Sequence, residues 1–133
     1  MNDEFRPPPR SWPQKFRHAF AGVRLGVRDQ SSFSVHFVFV AMVIAGGVLL
    51  QVSRHEWCLL IICLAVVLAA ETFNSALEHL ARAVDRRENS YLAAGLDIGS
   101  GAVLVTAIGA AIVGAIIFLT RAGVLLGWWT GNS

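Results

Sequence analysis

Three apolar runs, each long enough to cross a bilayer, dominate this chain: Phe33–Val52, Trp57–Leu77 and Ile98–Leu119. A span needs roughly 20 apolar residues to cover a hydrocarbon core of about 30 Å. In lipid only helices or closed barrels satisfy their own backbone, so runs of this length commit the chain to membrane helices. Composition agrees: 55% of residues are hydrophobic and 15% are charged, where about a quarter of residues are charged in soluble domains. None of the runs reads as a cleavable leader, because the first begins well inside the chain and no small-residue cleavage site follows it. Cys58 and Cys63 both fall in the second run, off a common helix face, and read as small apolar packers.

Met1–Pro13 carries all four prolines among charges and reads as a disordered, non-helical tail. In Gln14–Gln30, Phe16, Phe20, Val23 and Val27 recur at helical spacing, with Lys15, Arg17, Arg24 and Arg28 around them. A basic amphipathic helix of this kind lies flat on an anionic membrane surface; partner binding is the alternative. His36, near the start of the first span, reads as a packed or snorkelling residue. Ser53–Glu56 is a short turn, so the first two spans form a hairpin. The second helix continues to about Asp85, a polar connection follows at Arg86–Tyr91, and the third span carries Gly95 and Gly99 at a spacing that lets helices approach closely. Arg121 ends it, and the tail 122–133 offers Trp128-Trp129 as an interfacial anchor. The expected architecture is thus all-α and integral to the membrane: a tail at 1–13, a membrane domain at 14–121 with a surface helix and three transmembrane helices, and a C-terminal tail.

Positive charge sets the orientation. Six of the eleven basic residues precede the first span, and Arg82, Arg86 and Arg87 surround the second connection. The positive-inside rule puts both regions in the cytoplasm. Glu71 then lies fourteen residues past Trp57, about 21 Å along the helix, and Glu78 about 31 Å along it. Glu71, Asn74, Ser75 and Glu78 share one stripe of that helix. Asp97 opens the third span on the same side. The acids gather where a lipid headgroup and a cytoplasmic nucleotide can meet.

Intramembrane carboxylates are costly and point to function. Carboxylates with an amide are hard oxygen ligands suited to Mg²⁺, which keeps waters and bridges substrate phosphates. Glu71, the deeper acid, suits a general base, and Glu78, nearer water, a metal ligand. That division fits phosphoryl transfer to a lipid alcohol. On the residues alone, an equal alternative is that Glu71 and Asn74 serve as hydrogen-bonding glue between helices.

The pattern Glu71-x-x-Asn74-Ser75-Ala76-x-Glu78, a short polar loop, then Asp97-x-Gly99-x-Gly101-Ala102-Val103-Leu104 resembles the small prokaryotic diacylglycerol kinase and undecaprenol kinase family. Phe16 through Arg24 is similar to the family's surface helix, and Phe33, His36 and Glu56-Trp57 also match. The resemblance covers about Lys15–Leu119. It implies a homotrimer with active sites shared between subunits, in the bacterial inner membrane with the N-terminus cytoplasmic. It also implies phosphorylation of diacylglycerol or undecaprenol with Mg²⁺ and ATP. By that resemblance Glu71 is the general base, Glu78 binds the metal with ATP, and Asn74 orients Glu71 or the phosphates. Asp97 completes the site, and His18 contacts the nucleotide.

Three positions depart from the family pattern. Gln30 stands where the family has a second metal-binding glutamate, and it ligates without neutralising charge. Leu96 stands where the family has a lysine that touches the phosphates. Arg82 replaces an aspartate, and its spacing from Glu78 favours a salt bridge. Charge stabilisation is most of phosphoryl-transfer catalysis, so Arg82, Arg86 or Arg87 is expected to supply the missing contact. The competing functions are a catalytically impaired relative acting as a membrane scaffold, and a small proton-coupled transporter. The transporter fits poorly, since such proteins place a glutamate near the midplane of four spans.

Overall fold

The computed structural model describes residues 11–29, 32–84 and 89–128. They form four helices: α1 (Trp12–Asp29), α2 (Ser32–Leu49), α3 (Arg54–Val84) and α4 (Ser90–Leu125). Two of them, α3 and α4, are long and apolar enough to cross a membrane. At 1.5 Å per residue they reach about 47 and 54 Å, so each overruns a ~30 Å core. In α2 the shorter stretch Val35–Leu49 is apolar. α3 and α4 are the closely packed pair; α2 rests lightly on both, and α1 touches α3.

The distribution of polarity is inverted relative to a protein in water. Phe37, Phe39, Leu104, Val105 and Ile116 face outward, while Glu71, Asn74 and Ser75 are among the few buried side chains. Such a surface suits an apolar surround, as a membrane provides, where buried polar groups hold helices together.

α1 begins earlier than the prolines suggest. The segment ending at Pro13 was expected to be non-helical, yet the helix starts at Trp12, with Pro13 in its first turn. Proline is tolerated there because the first N–H groups of a helix have no intrahelical acceptor. Ser11 and Gln14 supply the start signal: the Ser11 N–H donates to Gln14 Oε1 at 2.9 Å, half of a capping box. Residues 1–10 of the expected tail lie outside the described residues. Every side chain from Ser11 to Leu25 is exposed, and Gly26 is buried. The aromatic face of α1, with Phe16 and Phe20, is therefore open within the chain. Lys15 Nζ sits 4.5 Å over the Trp12 ring, a cation–π contact.

The α2–α3 hairpin is tightly made. α2 ends in a Schellman motif: the Gln51 N–H donates to Val48 O and the Val52 N–H to Gly47 O. Its left-handed position is held by Gln51, with φ 51°. Ser53 and Glu56 then form a capping box for α3, with Ser53 N–H to Glu56 Oε2 at 2.6 Å and Glu56 N–H to Ser53 Oγ at 3.4 Å. Trp57 packs on Gly47, where a Cβ would stand 2.5 Å from the indole. Val52, Leu60 and Ile117 close the small apolar core at this end.

α4 does not end at Arg121, as the sequence suggested, but runs on to Leu125. The charge does not interrupt the helix because Glu56 neutralises it. Arg121 Nε donates to Glu56 Oε1 at 3.0 Å and Oε2 at 2.8 Å, and Nη2 lies 2.6 Å from Oε2. The helix stops in a second Schellman motif, with Gly127 at φ 71°. Trp128 is exposed beyond it; Trp129 lies outside the described residues.

Two measurements test this end of the bundle. Gln51→Gly should raise unfolding stability in micelles by about 1 kcal/mol, because glycine removes the left-handed penalty. Arg121 holds the Glu56 carboxyl down, through its hydrogen bonds, to about 2 from an ordinary 4.5. A carboxylate with a depressed folded value stabilises fully above its unfolded value and loses that contribution as pH falls through the folded one. The stability difference between the native chain and Glu56→Gln should therefore be constant above pH 4.5 and shrink between 4.5 and 2.

Candidate active site: a buried carboxylate where four helices meet

All four helices converge at one level of α3. Glu71 is 5% exposed, Asn74 7% and Ser75 1%. From α1, Gly26 approaches Thr72 and Ser75, where a Cβ would stand 3.9 Å from Thr72 Cγ2 and 4.0 Å from Ser75 Cβ. From α2, His36 Nε2 lies 3.7 Å from Glu71 Oε2. From α4, Gly99 opposes Asn74: a Cβ there would stand 2.6 Å from Asn74 Oδ1 and 3.0 Å from Leu77 Cδ1. Gly99 thus lets α4 close over the polar stripe, while α1 at Gly26 lies at ordinary contact distance, where a Cβ would also fit. Of the glycine pair singled out by spacing, Gly99 makes the close approach and Gly95 has open space around it.

The stripe is ordered along α3. Ser75 Oγ donates to the Glu71 carbonyl at 2.9 Å, and Thr72 Oγ1 to the Leu68 carbonyl at 2.7 Å. Both hydroxyls are satisfied by their own helix, so Ser75 acts as a small, quiet contact under α1. Asn74 Nδ2 donates to Glu78 Oε1 at 3.3 Å. Its Oδ1 is buried with no hydrogen-bond partner, held against Gly99, where only a Cα–H contact is on offer. Glu78 Oε2 accepts from Arg82 Nη2 at 3.3 Å. Arg82 itself is 67% exposed, on the turn of α3 beyond the apolar span. The salt bridge expected from the i, i+4 spacing is therefore formed.

The sequence-derived site is assembled in part within one chain. Glu71, Asn74 and Glu78 lie together. His18 is exposed on α1 and Asp97 is exposed on α4, two residues before Gly99. Gln30 lies outside the described residues, as do Arg86 and Arg87. Among the described residues no three of His, Cys, Asp and Glu gather closely enough to hold a metal ion by themselves. The residue that sequence reasoning underrated is His36, taken for a packed residue. Depth along the two helices was the missed signal. His36 stands three residues inside the first span and Glu71 six residues from the end of the second, about 5 and 9 Å from the same boundary.

Beside this cluster, a groove of about 670 Å³ runs between α2, α3 and α4. Met42, Val67, Ile108, Ala111 and Phe118 are typical of its walls, and His36 is its one polar lining residue among those described. It extends along α2 from His36 to Leu50, about 21 Å. That is most of the depth of a bilayer core. A flat wall of Ala107, Ala110, Ala111, Gly114 and Ala115 on α4 leaves room for a long apolar chain.

The site is thus a buried carboxylate, 3.7 Å from a histidine that lines an apolar groove, in an all-helical bundle with two helices long and apolar enough to cross a membrane. The chain belongs to the prokaryotic diacylglycerol kinase family, whose sequence profile it matches over residues 17–118. It is 28% identical over 108 residues to the undecaprenol kinase of Bacillus subtilis (strain 168), covering 81% of this chain and 88% of that protein. It is 31% identical over 105 residues to a diacylglycerol kinase of Synechocystis sp., covering 78% of this chain and 60% of that one. No solved structure matches it.

Gly99→Ala tests the packing of the stripe. The added methyl overlaps Asn74 Oδ1, so unfolding stability in micelles should fall by about 1–3 kcal/mol, and any function that needs the Asn74–Glu78 contact should fall with it. Gly95→Ala, one turn earlier in open space, should be neutral; a matching loss there would report a contact from outside the chain.

Proposed function

We propose that this chain is an ATP-dependent lipid kinase that transfers the γ-phosphate of ATP to the hydroxyl of undecaprenol or diacylglycerol at the cytoplasmic membrane face. The observation that carries the reading is the buried Glu71, whose carboxylate lies 3.7 Å from His36, the polar residue among those lining an apolar groove. A groove of this size and lining suits a single long lipid chain better than a water-soluble substrate. Membership of a family whose relatives are named as kinases supports the reaction type. In this proposal α2, α3 and α4 all span the inner membrane, α1 lies on its cytoplasmic surface, and three copies associate so that sites are shared between neighbours. Sharing accounts for the exposure of His18 and Asp97 within one chain.

The donor set fits magnesium of the kind that travels with a nucleotide. Glu78 offers a half-exposed carboxylate on the cytoplasmic side, and Mg²⁺ takes its remaining ligands from waters and phosphate oxygens. By the family resemblance, Gln30 would add a neutral oxygen. When bound, the ion offsets the charge of the phosphates. Glu71 takes the proton of the lipid hydroxyl, and the lipid oxygen attacks the γ-phosphorus as the bond to ADP breaks. Asn74 holds Glu78 in place through Nδ2. Arg82, which reaches Glu78 on an exposed turn, supplies the cation that Leu96 does not. Salt-bridge formation at Glu78 argues against a mere loss of charge in this region, because the arginine stands beside the carboxylate that meets the nucleotide.

The test is phosphorylation of each lipid by the purified protein with Mg²⁺ and ATP in lipid-containing micelles. Lipid phosphate should form, and Glu71→Ala should lower its rate by about 10²- to 10⁴-fold, the range for removing a general base. Absence of product from both lipids by a folded native chain would refute the assignment and favour the scaffold reading.

A further inference from the structure

The histidine that closes the groove is the least explained polar group in the molecule. His36 belongs to α2, a helix that touches the rest of the bundle only lightly, yet its imidazole meets the buried carboxylate of α3. Its side chain is 16% exposed and that of Glu71 6%. It is also the one polar side chain, among those described, that faces the groove. One residue therefore touches both the space for a lipid chain and the carboxylate beside it. An imidazole set in an apolar wall loses hydration, and it persists where it does a task that an apolar side chain cannot.

We propose that His36 is the positioning residue that seats the lipid alcohol: it marks the polar end of the groove and turns Glu71 Oε2 toward the hydroxyl. This rests on the kinase reading above. The apolar chain of the substrate fills the groove toward Leu50 and Phe118, so its hydroxyl arrives at the only polar wall. The separation of 3.7 Å between Nε2 and Oε2 is longer than a hydrogen bond. Contacts of this kind tighten when the substrate completes the site. In the reaction the hydroxyl proton passes to Glu71 and a bond forms from the lipid oxygen to the γ-phosphorus. The bond from that phosphorus to the bridging oxygen breaks, and ADP leaves. His36 keeps its own protons throughout. It fixes direction, and reacting groups displaced by about 1 Å lose about 10²-fold in rate.

Water-soluble nucleotide enters from the opposite, cytoplasmic side, near Glu78 and Arg82. A defect at His36 should therefore appear in the lipid half of the reaction alone. This separates His36 from Asn74 and Glu78, which would disturb nucleotide handling.

The experiment compares the native chain with His36→Gln and His36→Leu in micelles. Each is assayed for kcat, for KM toward undecaprenol, diacylglycerol and Mg-ATP, and for thermal unfolding. The expected result is a fall of about 10²-fold in kcat for His36→Leu at saturating lipid, with KM for Mg-ATP unchanged. Glutamine, which retains an N–H for Glu71 but cannot exchange a proton at neutral pH, should restore most of that rate. Three results would overturn the proposal. The first is a native kcat in His36→Leu. The second is a glutamine variant as poor as leucine, which would assign His36 the proton itself. The third is a KM for Mg-ATP and an unfolding temperature that move together with kcat in both variants, which would make the residue structural. A native chain that phosphorylates neither lipid removes the kinase reading and this proposal with it, whereas an active native chain with indifferent His36 variants removes only the latter.

Discussion

Helices in lipid have little hydrophobic reason to find one another, because the surrounding tails are as apolar as their own side chains. What gathers this chain is the polar stripe of α3. Glu71, Asn74 and Ser75 would each be costly facing hydrocarbon, and they become tolerable when α1 covers them beside Gly26 and Gly99 lets α4 close over them. The same burial that makes these groups structural also gives them chemistry. A carboxylate withheld from bulk water, with an imidazole beside it, clamps helices and has the setting that the proposed role of base requires. The two readings left equal by the sequence, glue or catalyst, are therefore not exclusive: the clamp at Asn74 and Gly99 holds the helix on which Glu71 is carried.

The helical architecture was legible because hydrophobic length is a direct physical demand of the bilayer. So were the polar stripe at Glu71, Asn74 and Glu78 and the Glu78–Arg82 pair, since both follow from the pitch of one helix. Termini were read less well. Pro13 was taken to forbid a helix that it starts, and Arg121 to end one that it pins. Each error came from weighing one residue without its surroundings: the Ser11–Gln14 start signal around Pro13, and the Glu56 partner of Arg121. Contacts between helices were harder still. His36 meets Glu71 across thirty-five positions of chain, and no local period reports such a meeting. Gly95 and Gly99 look alike in sequence, but only one of them faces Asn74.

Polar residues at this site serve unequal purposes. Ser75 and Thr72 spend their hydroxyls on their own helix and leave the carboxylates to act. Asn74 divides its amide, giving Nδ2 to Glu78 and pressing Oδ1 on Gly99. Arg82 gives its guanidinium to Glu78 on the same helix.

The two ends of the bundle are joined in different ways. At the far end the Glu56–Arg121 bridge, the capping box at Ser53 and the Trp57–Gly47 contact rivet α2, α3 and α4 together. At the near end, among the described residues, α2 approaches α3 through His36 and Glu71. A set of rods riveted at one end behaves as tweezers. A small sideways swing of α2 about the rivet widens the groove most at its mouth, beside His36, and hardly at all at its base.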